Sequence, residues 1–89
     1  MGCENLPIQM IVYCDERGTL RPLRFQLRDR QNKTHTVHIK EIIDSRKIKD
    51  QAYDAIMYLC KAVVNQKICL LELKYRVDTQ QWMLFRQIY

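Results

Sequence analysis

The sequence predicts a single, mostly β domain: six antiparallel strands closing into a small barrel or folding as a sandwich-like meander. Three observations carry that expectation. Apolar and polar residues alternate with a period of two in several runs, most cleanly in LRFQL, which is the signature of a strand with one dry and one wet face. The runs are separated by short polar clusters, DERG, RQNK, NQ and DTQQ, that suit turns. The 47% hydrophobic content, with only two Gly and two Pro, excludes a disordered chain unable to offset the entropy of ordering.

The first strand runs from about Leu6 to Cys14, with Ile8, Met10, Val12 and Cys14 on one side and Gln9, Ile11 and Tyr13 on the other. DERG follows as a turn in which Gly18 is free to take positive φ. The second strand, in TLRPLRFQLRD, sets Leu23, Phe25 and Leu27 against Arg24, Gln26 and Arg28. Pro22 cannot donate a ladder hydrogen bond and belongs at the beginning of that strand or on an exposed edge. After RQNK, the run THTVHIKEII alternates again, with His35, Val37 and Ile39 on one face and Thr36, His38 and Lys40 on the other.

DSRKIKDQAYD has no clean period and reads as the longest loop, with room for one helical turn. AIMYLCKAVV is a nearly continuous apolar run, consistent with a buried strand or with a helix over about residues 50–64. The helix is the alternative, an α+β fold. It would place Tyr53, Ile56, Met57, Cys60 and Val64 on one stripe while Tyr58, Leu59, Ala62 and Val63 crowd the other faces. Asn65-Gln66 forms a two-residue turn of open type. KICLLELKYRV then directs Cys69, Leu71, Leu73, Tyr75 and Val77 to one side and Leu70, Glu72, Lys74 and Arg76 to the other. Asp78 opens the DTQQ turn by accepting a local backbone hydrogen bond, and WMLFRQI returns as the last strand.

Eighty-nine residues make one domain with its core over about residues 7–86, small enough that nearly every large apolar side chain is needed for it. The net charge of +5 favours anionic partners, although both signs are spread along the chain as on an ordinary solvated surface. Cys3, Cys14, Cys60 and Cys69 have no C-x-x-C spacing and follow no apolar signal segment, so free thiols in a reducing cytoplasm are expected. No apolar run approaches the ~20 residues of a membrane span. The MGCENL start has Leu6 where myristoylation requires Ser or Thr, which argues against lipidation.

RPLRFQLRD, THTVHIKEII, MYLCKAVV and LLELKYRVDTQQWML, taken in that order, resemble a group of short bacterial proteins and domains of unknown function. Their shared features are a Pro-x-x-Phe strand, a Val-rich strand, an aromatic strand and a closing Glu-Leu-x-Tyr hairpin with Trp-x-Leu. The resemblance spans roughly residues 7–86 and implies a mostly β domain in which Ala55 to Val64 is a strand. Similar domains occur near or at the tail of proteins related to lesion-bypass DNA polymerases, which implies a DNA-repair setting. It supplies no catalytic residues. This chain departs from the pattern at RQNK, where many relatives carry a Gly-containing turn.

His35 and His38 are the only histidines, and on a strand positions i and i+3 face opposite sides, so no single ion is expected to be held by both. Cys14, Cys60 and Cys69 read as small hydrophobes. Nucleophile motifs, Gly-rich phosphate loops and zinc-protease spacings are missing from the sequence, so neither catalysis nor a cofactor or metal is expected.

Two binding readings remain. A protein-interaction module, docking to a partner or forming a homodimer, would use Ile11, Tyr13, Leu70, Met83 and Phe85, which fall on faces opposite the expected core. The alternative is a nucleic-acid-binding accessory domain, with DNA or RNA contacted by a basic sheet face of Arg24, Arg28, His38, Lys40, Lys74 and Arg76. The first is the leading expectation: a non-enzymatic, cytoplasmic binding or accessory module that does not involve a membrane.

Overall fold

A computed structural model describes residues 5–49 and 51–89. Cys3, the MGCE start and Asp50 lie outside the described residues. The rest is all-β: β1 (Leu6–Ile8), β2 (Met10–Cys14), β3 (Leu20–Arg28), β4 (Thr34–Lys49), β5 (Asp54–Val64), β6 (Lys67–Arg76) and β7 (Gln81–Gln87). Every ladder is antiparallel, and the strands form one sheet in the order β1-β7-β6-β5-β4-β3-β2.

The two end strands of that order are consecutive in the chain, joined by Gln9 alone. Leu6, Pro7 and Ile8 pair with Leu84, Met83 and Trp82, whereas Met10 pairs with Phe25. The expected first strand is therefore one extended stretch, bent at Gln9, that serves both ends of the sheet; six expected strands become seven. The bend curls the sheet into a half-barrel whose concave side is the core. Phe25, Val37, Tyr58, Cys60, Ala62, Cys69, Leu71, Leu73, Trp82 and Leu84 are buried there, and Phe25, Cys60, Ala62 and Leu73 have almost no exposed surface.

The helix alternative over residues 50–64 is overturned, because β5 occupies Asp54–Val64 and pairs along its length with β4 and β6. Its apolar run looked continuous because β5 is central and partly covered on both faces, as fully buried strands are. Tyr58, Cys60 and Ala62 point into the core. Ala55 and Met57, on the outer face, are also buried, at 3% and 5% exposure, opposite Arg76 and Lys74.

The long loop expected after THTVHIKEII is also corrected. β4 continues to Lys49, and β5 begins at Asp54. DSRKIK shows no period because Ile48 is its only apolar residue, and two irregularities just before this stretch break the phase of the strand. The β4–β5 register shifts between Ile39 and Glu41 and again between Ile42 and Asp44, so Lys40 and Ile43 have no pair opposite. Each extra residue inverts the alternation that a strand would otherwise show. A similar shift between Ile11 and Val12 leaves Leu23 out of the β2–β3 pairing. The buried residue there is Pro22, not the Leu23 that alternation selects. Pro22 sits in a part of β3 whose other edge has no ladder to β4, where a missing N–H costs no sheet hydrogen bond.

The turns follow from their side chains. Asp15 Oδ1 accepts hydrogen bonds from the N–H groups of Arg17 and Thr19, both at 2.9 Å, and Gly18 takes φ +84°. Asp29 repeats the device on Gln31 and Lys33 at 2.8 and 2.9 Å, with Asn32 at φ +65° in the glycine's place. RQNK thus builds the DERG turn without a glycine, because Asn is among the residues that tolerate the left-handed region. Asn65 and Gln66 both have positive φ, +50° and +66°, which makes the β5–β6 connection a type I′ turn.

Candidate functional site

β3 pairs with β4 only from Arg28↔Thr34 to Arg24↔His38. Beyond His38, β4 pairs with β5 alone as far as Lys49. Eleven residues, Ile39 to Lys49, thus have a ladder on one side only, which leaves backbone donors and acceptors on the other side open to another chain. Leu20 to Pro22 of β3 diverge from them in turn, being paired only with β2.

The space between these diverging strands is a groove of about 840 Å³, toward the upper end of the size range of ligand clefts. Cys14 and Arg17 to Leu20 of the hairpin tip form one bank, and Ile42, Ser45, Arg46 and Lys47 of β4 form the other. Ile56, Tyr58, Tyr75 and Val77 form its floor. That floor rests on Trp82, whose ring centroid lies 5.4 Å from Tyr58 and 4.9 Å from Tyr75, within the range of favourable aromatic pairs. A smaller hollow of about 300 Å³ continues along the end of β4 past Ile48, Ile56 and Val77.

The register sorts the charges of β4 by face. Ile42, Ser45 and Lys47 pair with the inward-facing Cys60, Tyr58 and Ile56, whereas Glu41 and Asp44 pair with the outward-facing Lys61 and Leu59. Arg17 and Lys47 line the main groove, which Arg46 borders although its pairing with the outward-facing Met57 turns it to the convex side, and no carboxylate is among the lining residues.

The convex face holds the residues singled out in the sequence, but divides them. Arg24, Arg28 and His38 lie together on β3 and β4, with Arg24 paired to His38. Lys74 and Arg76 lie on β6, in rows with Met57 and Ala55. The row of Arg24 and His38 reaches β6 at Ile68, six residues from Lys74 and eight from Arg76, which separates the two groups by about 20–27 Å at the usual strand rise. Glu41, Asp44 and Glu72 fall on the rows between. Lys40 stands apart in the first bulge of β4. The proposed interface residues divide likewise. Ile11 and Tyr13 are exposed on β2, while Met83 and Phe85 are half-buried on β7, at the other end of the strand order, with Leu70 on β6.

Lys74 and Arg76 are nevertheless organised with aromatic neighbours. The Arg76 guanidinium lies 4.1 Å from the Tyr53 ring centroid, and Lys74 Nζ lies 5.2 Å from that of Phe85 and donates to the Tyr53 hydroxyl at 3.2 Å. Arg76 also donates twice to the Asp78 carboxylate, at 2.7 and 3.1 Å. That pairing holds the Asp78 carboxyl below its ordinary range and pushes Arg76 up. Arg86 is paired with the largely buried Glu72 on the same face. The cations of this cluster thus already have partners within the fold.

His35 and His38 fall on opposite faces, opposite Leu27 and Arg24 respectively. The His35 ring nitrogens are taken by Asp29, at 2.9 Å, and by the Asn65 side-chain amide, at 3.1 Å. The hydrogen bond with His35 is the main reason that the Asp29 carboxyl titrates below its usual value. Burial pushes the Cys60 thiol up to about 12 and raises Cys69 and Tyr58 as well. Cys14 is an exposed thiol.

Arg17, Arg46, Lys47 and Ile42 went unselected in the sequence. Ile42 lies between the two register shifts of β4, Arg46 and Lys47 lie in the mostly polar stretch after them, where no apolar alternation marks a strand, and Arg17 sits in a turn where charge is unremarked. Among the described residues no helix is long and apolar enough to cross a membrane. No family model, curated protein or solved structure matches the chain.

Proposed function

We propose that this chain is a non-enzymatic, cytoplasmic binding module that acts through protein–protein interaction, taking an extended segment of a partner as an added strand along β4. The observation that carries the reading is the one-sided pairing of Ile39 to Lys49. An added strand would satisfy the open backbone groups, and the groove beside them would receive alternate side chains, the usual division of affinity and specificity in strand addition. Both earlier sets of convex-face residues are dispersed, and the paired cations of the Lys74–Arg76 cluster leave less free charge for phosphate than six separate basic residues would.

The test is an NMR footprint of binding peptides selected from an unbiased library. Shift changes and new amide-exchange protection should fall on Ile39 to Lys49 and the β2–β3 hairpin tip. In the free protein, amides of that stretch directed away from β5 should exchange quickly, while those of Thr34 to His38 directed toward β3 stay protected. A footprint confined to β6 and β7, or uniform protection of β4 in the free protein, would overturn the reading.

A further inference from the structure

The groove beside the free edge of β4 also restricts what the added strand is made of. We infer that its occupant is a segment of alternating apolar and acidic residues, an inference that rests on strand addition at β4. Antiparallel or parallel, an added strand directs every second side chain to the concave side. There it meets the apolar surfaces of Leu20, Ile42, Tyr75 and Val77 and the cations Arg17 and Lys47. Arg46 stands on the same bank. Arg17 and Lys47 line this space with no carboxylate among its lining residues, and Glu41, Asp44 and Arg46 of β4 are turned to the convex face by their register. Carboxylates on the occupant would find complementary charge at the groove, while lysines would meet like charge, a juxtaposition that discriminates between partners.

The same charges argue against a second copy of this chain as the occupant. Ile39 to Lys49 carries four basic residues, Lys40, Arg46, Lys47 and Lys49, against two acidic ones, Glu41 and Asp44, a net +2. Edge-to-edge pairing of two copies would set +2 against +2, between chains that each carry +5 overall. Exposed sheet edges in natural proteins use such charge to prevent self-pairing.

The experiment uses the full chain and four fluorescein-labelled probe peptides: alternating Val and Glu, alternating Val and Lys, and the Val–Glu peptide with every second amide N-methylated in each of the two registers. Anisotropy is followed at low and near-physiological salt, and peptide-induced shifts are mapped by NMR. The Val–Glu peptide should bind on β4, weaken with salt, and lose binding when one N-methyl register, but not the other, removes the donors facing the protein. Arg17→Glu with Lys47→Glu, both at the groove margin, should weaken it by about ten-fold or more and improve binding of the Val–Lys peptide. Circular dichroism of the double variant confirms retention of the fold.

Equal binding of the Val–Glu and Val–Lys peptides on β4 would overturn the acidic specificity while leaving strand addition standing. Failure of all probes to bind, or binding that ignores both N-methyl registers, would overturn both. Val–Glu binding mapped to β6 and β7 would overturn the inference by showing that charge alone attracts the peptide elsewhere.

Discussion

Trp82 offers the sharpest test of how the core supports the groove. It is the only tryptophan in the chain and is 7% exposed. Its row runs Ile8, Trp82, Tyr75 and Ile56 across four strands, and its ring touches the two tyrosines that line the groove floor. Trp82→Ala removes a large buried side chain, a change that costs about 3–5 kcal/mol. Trp82→Leu restores part of the apolar volume but neither aromatic pair; at about 0.5–1.5 kcal/mol per pair the loss from stacking alone is ~1–3 kcal/mol. The whole fold is expected to have a stability of roughly 4–13 kcal/mol, from ~0.05–0.15 kcal/mol per residue. The alanine variant therefore sacrifices a large share of it. Urea unfolding followed by far-ultraviolet circular dichroism measures both changes without relying on tryptophan emission. The expected order is wild type, Trp82→Leu, Trp82→Ala, with the last displaced by at least 3 kcal/mol. A Trp82→Ala cost below about 1 kcal/mol would refute the placement of β7 in the core.

Other parts of the fold give independent tests. Gln66 holds φ +66° in a type I′ turn, so Gln66→Gly should raise stability by up to about 1 kcal/mol, whereas Asn32→Val, a β-branched residue at φ +65°, should cost ~1–2 kcal/mol; denaturant midpoints read both. Cys60 holds its proton up to about pH 12, against an ordinary thiol value of 9.0. Above 9 the unfolded chain releases a proton that the folded chain keeps, so stability is full below that value and falls toward about 12; the loss should be smaller in Cys60→Ala in the same urea series. Native alkylation followed by mass spectrometry should modify Cys14 and spare Cys60 and Cys69 until denaturant is added. Single-stranded oligonucleotides should bind with a salt slope no steeper than about −1.5, since a group of two cations at ~0.7 per phosphate gives that value whereas five contiguous ones would give about −3.5. A slope near about −3.5 would show that the separate basic groups act together.

Most of the architecture was legible because local patterns and tertiary burial agree. LRFQL and KICLLELKY alternate in sequence and are strands in space, and Asp15 and Gly18 mark a turn by their own chemistry. Legibility fails where one residue is inserted into a ladder. Pro22 rather than Leu23 enters the core because β2 and β3 shift register between Ile11 and Val12. The stretch from Asp44 to Lys49 looked like a loop because Ile48 is its only apolar residue and the two shifts just before it break the phase of the preceding alternation. The convex-face candidates were correctly assigned to a face, since a period of two suffices for that. Whether they meet depends on strand order and on distance along the strands, and neither is encoded in the alternation of any single segment. The same limit concealed that β1 and β2 serve opposite ends of one sheet.

The bulges that obscure β4 in sequence also account for the feature on which the binding proposal rests. β3 and β4 are paired through His38, and the first register shift follows at once, between Ile39 and Glu41. A bulge increases local twist and bends its strand. Two of them in succession let β4 follow β5 around the half-barrel while β3 follows β2. The divergence exposes eleven residues of backbone on one side and opens the groove over Tyr58 and Tyr75. An edge of this length is a hazard unless it is defended or used. Here the two acids of β4 are sent to the convex face while Lys47 is turned to the groove. A purely defensive edge would gain nothing from an apolar cleft beside it, lined by Leu20, Ile42 and Val77. Charge that repels a second copy and a cleft that accepts alternate side chains are both useful to a strand that must refuse itself and admit another.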